Sequence, residues 1–342
     1  MLISGIMVGC MMTTMIVNGD GDIIKYIYNI FMIILVMVLT INISEEKFIE
    51  MFTNIMYIIS IFAVILFLIG FFLNPAYKMM PYISNENYLR YYFFGLGFLE
   101  DLPVGSIPRI YGIFREPGVF ACYLTLALLL ELLSKKETDI KKALFYLLAA
   151  YTTFSTAAFT LCIVCLSVYF LRMLFQGNSE QRRKMFKIVI ITVFIITGCV
   201  MFMGSERVYE LVFNKLHVEN SSRDSRFGSI AANLSMFYTN PIVGRGWNFV
   251  EDNFIYFAST GVYAGTHNTN TLLKLLALYG LFPFTILVMF LVKFFKKRTR
   301  SIFYGLVLTA IWVIALSNED LSVNVILYIL PFYGIYTLTN RN

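Results

Sequence analysis

The chain has 342 residues, of which 58% are apolar and only 14% charged, with a net charge of +6 and a mean hydropathy of +0.73. Soluble domains run about 45–50% apolar and about 25% charged, so too little polar surface is available to face water and lipid must cover most of the chain. This excludes an ordinary soluble enzyme and a nucleic-acid-binding module.

Crossing about 30 Å of hydrocarbon takes roughly 17–25 apolar residues. Ten segments qualify: 2–17, 23–43, 48–73, 118–134, 143–157, 158–175, 188–204, 268–292, 301–317 and 322–338. The first lacks a basic leader and a small-residue cleavage site, so it reads as a retained span. The segment 143–175 is ambiguous by length. Lys135, Lys136, Lys141 and Lys142 precede it, and Arg172, Arg182, Arg183, Lys184 and Lys187 follow it. Positive clusters in short loops mark the cytoplasmic side, so an even number of crossings separates these two. The segment is therefore a hairpin turning near Thr152, Thr153, Ser155 and Thr156. Lys293, Lys296, Lys297, Arg298 and Arg300 form a third inside cluster. Both termini are then cytoplasmic.

Two segments, 75–117 and 205–267, are too polar for lipid and too long to be simple connections. Both fall on the outer side. The first is rich in aromatics (Tyr77, Tyr82, Tyr88, Tyr91, Tyr92, Phe93 and Phe94). In the second, Phe227, Ile230, Ala231, Leu234 and Phe237 have amphipathic-helix spacing, with Asp224 and Ser225 where an N-cap belongs. Such a helix lies on the membrane interface or packs over the bundle, and it carries Arg226 in its first turn. Residues 1–342 read as one integral membrane domain without internal repeats or low-complexity tracts.

The span centres are almost free of charge. Glu50, Glu131 and Lys25 sit near span ends, where snorkelling accounts for them; Lys274, about two turns into the eighth span, is the exception. Cys162 and Cys165 have redox spacing but lie in an apolar run, so they read as packing. The polar chemistry is concentrated outside, in RIYGIFREPG at 109–118 and in the stretch from Arg223 to Asn268, which holds DSRF, NPIVGRG and GTHN. Arginine donates a planar fork to phosphate and stays charged. The plain alternative for each arginine is pairing with Glu116, Asp224, Glu251, Asp252 or lipid head groups. His267, at the start of the eighth span, is either structural or a proton carrier. Gly244-Arg245-Gly246 lacks the Lys-Ser/Thr of a nucleotide loop.

At these residues the sequence resembles the O-antigen polymerase and O-antigen ligase superfamily of bacterial envelope glycosyltransferases. The resemblance rests on Arg109, Gly112 and Phe114 followed by Glu116-Pro117-Gly118, on Arg226 opening the helix, and on Asn240, Pro241, Gly244 and Gly246. His267-Asn268 and Tyr279-Gly280-Leu281 complete it. The family commonly has about twelve spans against the ten here, and the 152–156 turn lacks the family's usual arginine.

The resemblance implies an all-α polytopic, metal-independent glycosyltransferase of the GT-C-like kind in the bacterial inner membrane. About ten transmembrane helices would carry two large periplasmic loops with short amphipathic helices, and the active site would be periplasmic. It needs no cofactor. Its partners are undecaprenyl diphosphate-linked oligosaccharides, membrane lipid and a chain-length regulator protein. Arg109 and Arg226 would be catalytic, gripping the donor diphosphate. Arg115, Glu116, Arg223, Arg245 and Asn268 would bind diphosphate or glycan. His267 would be base toward the acceptor hydroxyl or a diphosphate ligand. The expected function is polymerisation of lipid-linked repeat units. The alternatives are ligation of glycan to a lipid A core and, more distantly, flipping of a lipid-linked oligosaccharide.

Overall fold

The computed structural model describes residues 2–73, 79–84, 90–100, 109–134, 138–177, 179–180, 182–183, 185–191, 193, 221–259 and 267–336. It is mostly helical, and it groups into two compact units. Unit 1 comprises Met1–Phe48 and Leu216–Asn342; unit 2 comprises Ile49–Lys215.

Unit 1 begins with α1 (Leu2–Asn18) and α2 (Ile23–Asn42). One face of α2 buries Tyr26, Asn29, Ile33, Val36 and Thr40. The other exposes Ile24, Ile27, Phe31, Ile34, Val38 and Ile41. An apolar stripe this long is tolerable only against lipid. α3 (Glu45–Phe72) starts in this unit and continues into unit 2. After residue 220 come α7 (Ser221–Thr239), α8 (Gly246–Ser259), α9 (Thr271–Tyr279), α10 (Leu281–Thr299), α11 (Ile302–Leu316) and α12 (Val325–Tyr336). α10 packs against α11 and α12, α12 against α2, and α7 against α8 and α9.

Unit 2 holds most of α3, then a meander of β1 (Tyr82–Ser84), β2 (Arg90–Phe94), β3 (Gly97–Glu100) and β4 (Ile110–Gly112). All neighbours are antiparallel, with a register irregularity at Phe98/Leu99. α4 (Pro117–Leu129) follows and ends in a π-helical turn, Leu130–Ser134. α5 (Ile140–Thr152) and α6 (Thr156–Gln176) both pack on α4.

Three helical stretches, Ile23–Asn42, Glu45–Phe72 and Ala157–Phe175, are long and apolar enough to cross a membrane among the described residues; α1, α4, α11 and α12 are shorter apolar helices. The all-α expectation needs one correction, because the described part of 75–117 is a sheet, not helices. Its aromatic run suits a pleated surface, where Tyr82 meets Tyr92 and Phe93 meets Phe98 across strands. The expected eighth span is also divided. Gly280 has φ +78 and separates α9 from α10. The α5–α6 boundary falls at 153–155, where the turn was expected. Asp139 and Ser155 cap the two helices through their side chains. The expected span at 188–204 lies largely outside the described residues.

Candidate functional site

In unit 1 Arg226, His267 and Asn268 lie where α7, the segment leading into α9, and the α11–α12 turn meet. α7 begins one turn earlier than its expected cap, so Arg226 stands in its second turn. The buried face of α7 is also not the apolar stripe. It is polar and small: Ser225, Ser229, Ala232 and Asn233, followed by Met236. Phe227 is 49% exposed and Ala231 is also exposed. The stripe therefore faces away from the unit, and hydrogen bonds fasten the inner face instead.

Those bonds hold the His267 segment. Ser229 Oγ donates to the Ser225 carbonyl at 2.6 Å and lies 3.2 Å from the His267 carbonyl, and it accepts from Thr269 N at 3.0 Å. Asn233 and Asn268 exchange side-chain amide bonds of 3.0 and 2.9 Å. Asn270 then caps α9 through Leu273 N at 3.0 Å. The structure thus sets the His267 backbone one helical turn from Arg226. Asn268, expected to bind substrate, is used in fastening. His267 is exposed and Arg226 half-buried. Burial pulls the Arg226 guanidinium below its ordinary pKa, and the nearby Glu319 carboxylate opposes that fall.

The NPIVGRG turn docks on the α9–α10 break. Arg245 N donates to the Ala277 carbonyl at 2.9 Å and Leu281 N to the Pro241 carbonyl at 2.9 Å. Gly244 (φ +81) and Gly280 (φ +78) are required there: a Cβ at Gly244 would collide with the Leu278 carbonyl, and one at Gly280 with the Ile242 carbonyl. The Arg245 guanidinium binds Thr239 Oγ1 at 2.6 Å and the Thr239 carbonyl at 3.1 Å, and lies over the Phe249 ring. It closes the C-terminus of α7. Arg223 lies on α7, with its side chain outside the described residues.

Sequence reading missed the acids of this corner. Asp20, buried in the α1–α2 turn, accepts from the backbone N–H of Trp247 and Asn248, and from Tyr26 Oη at 2.9 Å. It caps α8 from more than 200 residues away, and no local pattern announces such a cap. Lys274, the charged exception in the eighth span, pairs with Asp320 at 2.7 Å and lies 3.8 Å from Glu251, 4.8 Å from the Trp247 ring centre. Lys25 also binds Glu251. The charges of α2, α8, α9 and the α11–α12 turn thus alternate in one chain.

The RIYGIFREPG residues belong to unit 2. Arg109, half-buried, donates from Nε to the Thr153 carbonyl at 3.3 Å, in the α5–α6 turn. The next residue, Phe154, holds φ +48, a strained conformation for a bulky side chain. Rings of Phe67 and Tyr151 pack on it. Arg115 pairs with Glu116 at 3.0 Å in an exposed position, and Pro117 opens α4. Arg226, Arg245, His267 and Asn268 therefore share a unit, while Arg109, Arg115 and Glu116 lie in the other.

Residues 143–288 match the O-antigen ligase family. The match covers somewhat less than half of the chain, and it is consistent with the O-antigen polymerase and ligase superfamily. It takes in Arg226, Arg245, His267 and both glycines of the α9–α10 junction; Arg109 and Glu319 lie outside it. No curated protein and no solved structure matches. Together the O-antigen ligase match and the apolar helices indicate a membrane protein.

Proposed function

We propose that the chain is a membrane glycosyltransferase that joins undecaprenyl diphosphate-linked oligosaccharide repeat units at the periplasmic face of the inner membrane. One observation carries this reading: Arg226 is half-buried on α7, one turn from Ser229, whose hydroxyl fastens the backbone of the His267 segment. The Glu319 charge only opposes the cost of desolvating this guanidinium, and a diphosphate leaving group offers its planar fork a stronger, doubly charged partner. As the glycosidic bond breaks, negative charge grows on that diphosphate, where fixed donors stabilise it most. In this reading His267 is base or diphosphate ligand. A chain-length regulator protein is the expected partner.

Charge placement supports the sidedness. α10 (Leu281–Thr299) runs 19 residues from the α9–α10 break to a basic end at Lys296, Lys297 and Arg298. At 1.5 Å per residue that is about 28 Å, close to the hydrocarbon thickness. The basic end pairs with Glu45 and Glu46 at the start of α3. A basic end on α10 marks the cytoplasmic side of that helix, which suits a periplasmic active centre.

The test is extension of a lipid-linked repeat unit by the purified chain. Arg226→Ala and His267→Ala should each abolish the ladder; polymerisation at the wild-type rate by both would sink this site. The O-antigen ligase description of the matching family favours a second reading, transfer of finished glycan to a lipid A core. Supplying both acceptors separates the two by product.

A further inference from the structure

Glu319 is 9% exposed and stands in the turn between α11 and α12. Three anchors hold that turn. The Thr271 hydroxyl, fully buried at the start of α9, donates to the Glu319 carbonyl and accepts from Leu321 N at 2.8 Å. Asp320 binds Lys274 Nζ at 2.7 Å. Asp320 also accepts from Ser322 N at 3.1 Å and Ser322 Oγ at 2.6 Å. Thr271 begins the helix whose preceding residues, 267–270, are fastened to α7 at Ser229 and Asn233. The same bonds thus place the Glu319 turn in the corner that holds Arg226, close enough for the two charges to act on each other.

A carboxylate carried on an anchored turn is an odd neighbour for an arginine that grips a diphosphate, because the two anions repel. It has a use when the attacking group is a hydroxyl, whose proton must leave as the new bond forms. We propose that Glu319 is the general base of the transfer, with Thr271, Lys274 and Asp320 as positioning residues that hold it. The proposal rests on the glycosyl-transfer reading above. The acceptor oxygen bonds to the anomeric carbon of the donor, and its proton passes to the Glu319 carboxylate. The bond from that carbon to the diphosphate oxygen breaks, and the electron pair leaves with the diphosphate against Arg226. His267 then serves the diphosphate. Among the described residues, the charged groups tied to the Glu319 turn are Arg226 on α7, which feels the Glu319 charge, and the adjacent Asp320, itself paired with Lys274 of α9, behind which stands Glu251 of α8.

The experiment uses the purified full chain with a lipid-linked repeat unit, and reads donor binding, kcat against pH, and thermal stability. Glu319→Gln should bind donor as well as wild type or better, while kcat falls about 100- to 10,000-fold and its acid limb disappears. Glu319→Asp should keep part of the rate and the acid limb. A kcat close to wild type in Glu319→Gln overturns the proposal, as does loss of donor binding in place of loss of turnover. Should Glu319→Gln fail to fold, a wild-type kcat in Glu319→Asp overturns it, and a reduced kcat with the acid limb kept supports it. Failure of the glycosyl-transfer reading looks different: Arg226→Ala would then bind donor and turn over like wild type.

Discussion

Asn233 and Asn268 bind each other twice, side chain to side chain, at 3.0 and 2.9 Å, and so fix the His267 segment to α7. Each amide satisfies the other, and removing one leaves a partly buried amide without its partner. Asn233→Ala and Asn268→Ala should each cost about 1–3 kcal/mol. The double variant should cost clearly less than their sum. Denaturation of the purified chain and its three variants measures the coupling; strict additivity would deny it.

Gly244 and Gly280 bring the NPIVGRG turn against the α9–α10 break. Both have positive φ, and at both a Cβ would strike a carbonyl oxygen. Alanine at either position should lower stability by about 1–3 kcal/mol or more. Since each glycine relieves the same junction, the double variant should lose less than the two losses combined. A melting temperature unchanged in either single variant would show that the junction opens freely.

The Lys274–Asp320 pair makes a pH prediction. Burial pushes the Asp320 carboxyl up, but the charge and hydrogen bond of Lys274 and the bonds of Ser322 outweigh it, leaving the pKa below the ordinary carboxylate value. A depressed folded-state pKa stabilises the fold above the unfolded value of about 3.9, and the contribution is lost as pH falls through the folded value. Lys274→Met removes the partner of a buried acid and should cost about 3–5 kcal/mol near neutral pH. Adding Asp320→Asn should restore part of that loss. Melting curves from pH 7 down to pH 3 check both the size and the sign.

Arg245 separates structural from chemical arginines. Its guanidinium is taken up by Thr239 and the Phe249 ring. Arg245→Ala should lower stability by about 1–2 kcal/mol and leave the donor KM of the folded protein unchanged. Arg226→Lys keeps charge but loses the planar fork, so its donor KM should rise at least about tenfold with little change in melting temperature. Parallel kinetics on the two variants distinguish them; a raised KM in Arg245→Ala would return that residue to the site.

Sequence alone determined which segments are apolar, where charge is scarce, and which polar segments could hold chemistry. These are properties of composition and short-range periodicity, so α1, α2, α3, α4 and the break at 153–155 were legible in it. The helix carrying Arg226 was legible too, because Phe227 to Phe237 repeat at helical spacing. Which face of that helix is buried was not. Hydrogen bonds from Ser229 and Asn233 to residues more than 30 positions away turned the polar face inward. The sheet within 82–112 was hidden because isolated aromatics do not reveal strand pairing. Asp20, Glu319, Asp320 and the partners of Lys274 were hidden for a further reason: the groups they meet lie on other helices. A charge has no periodicity to betray its partner, and only the packing of α2, α8, α9 and the α11–α12 turn brings such partners within bonding distance.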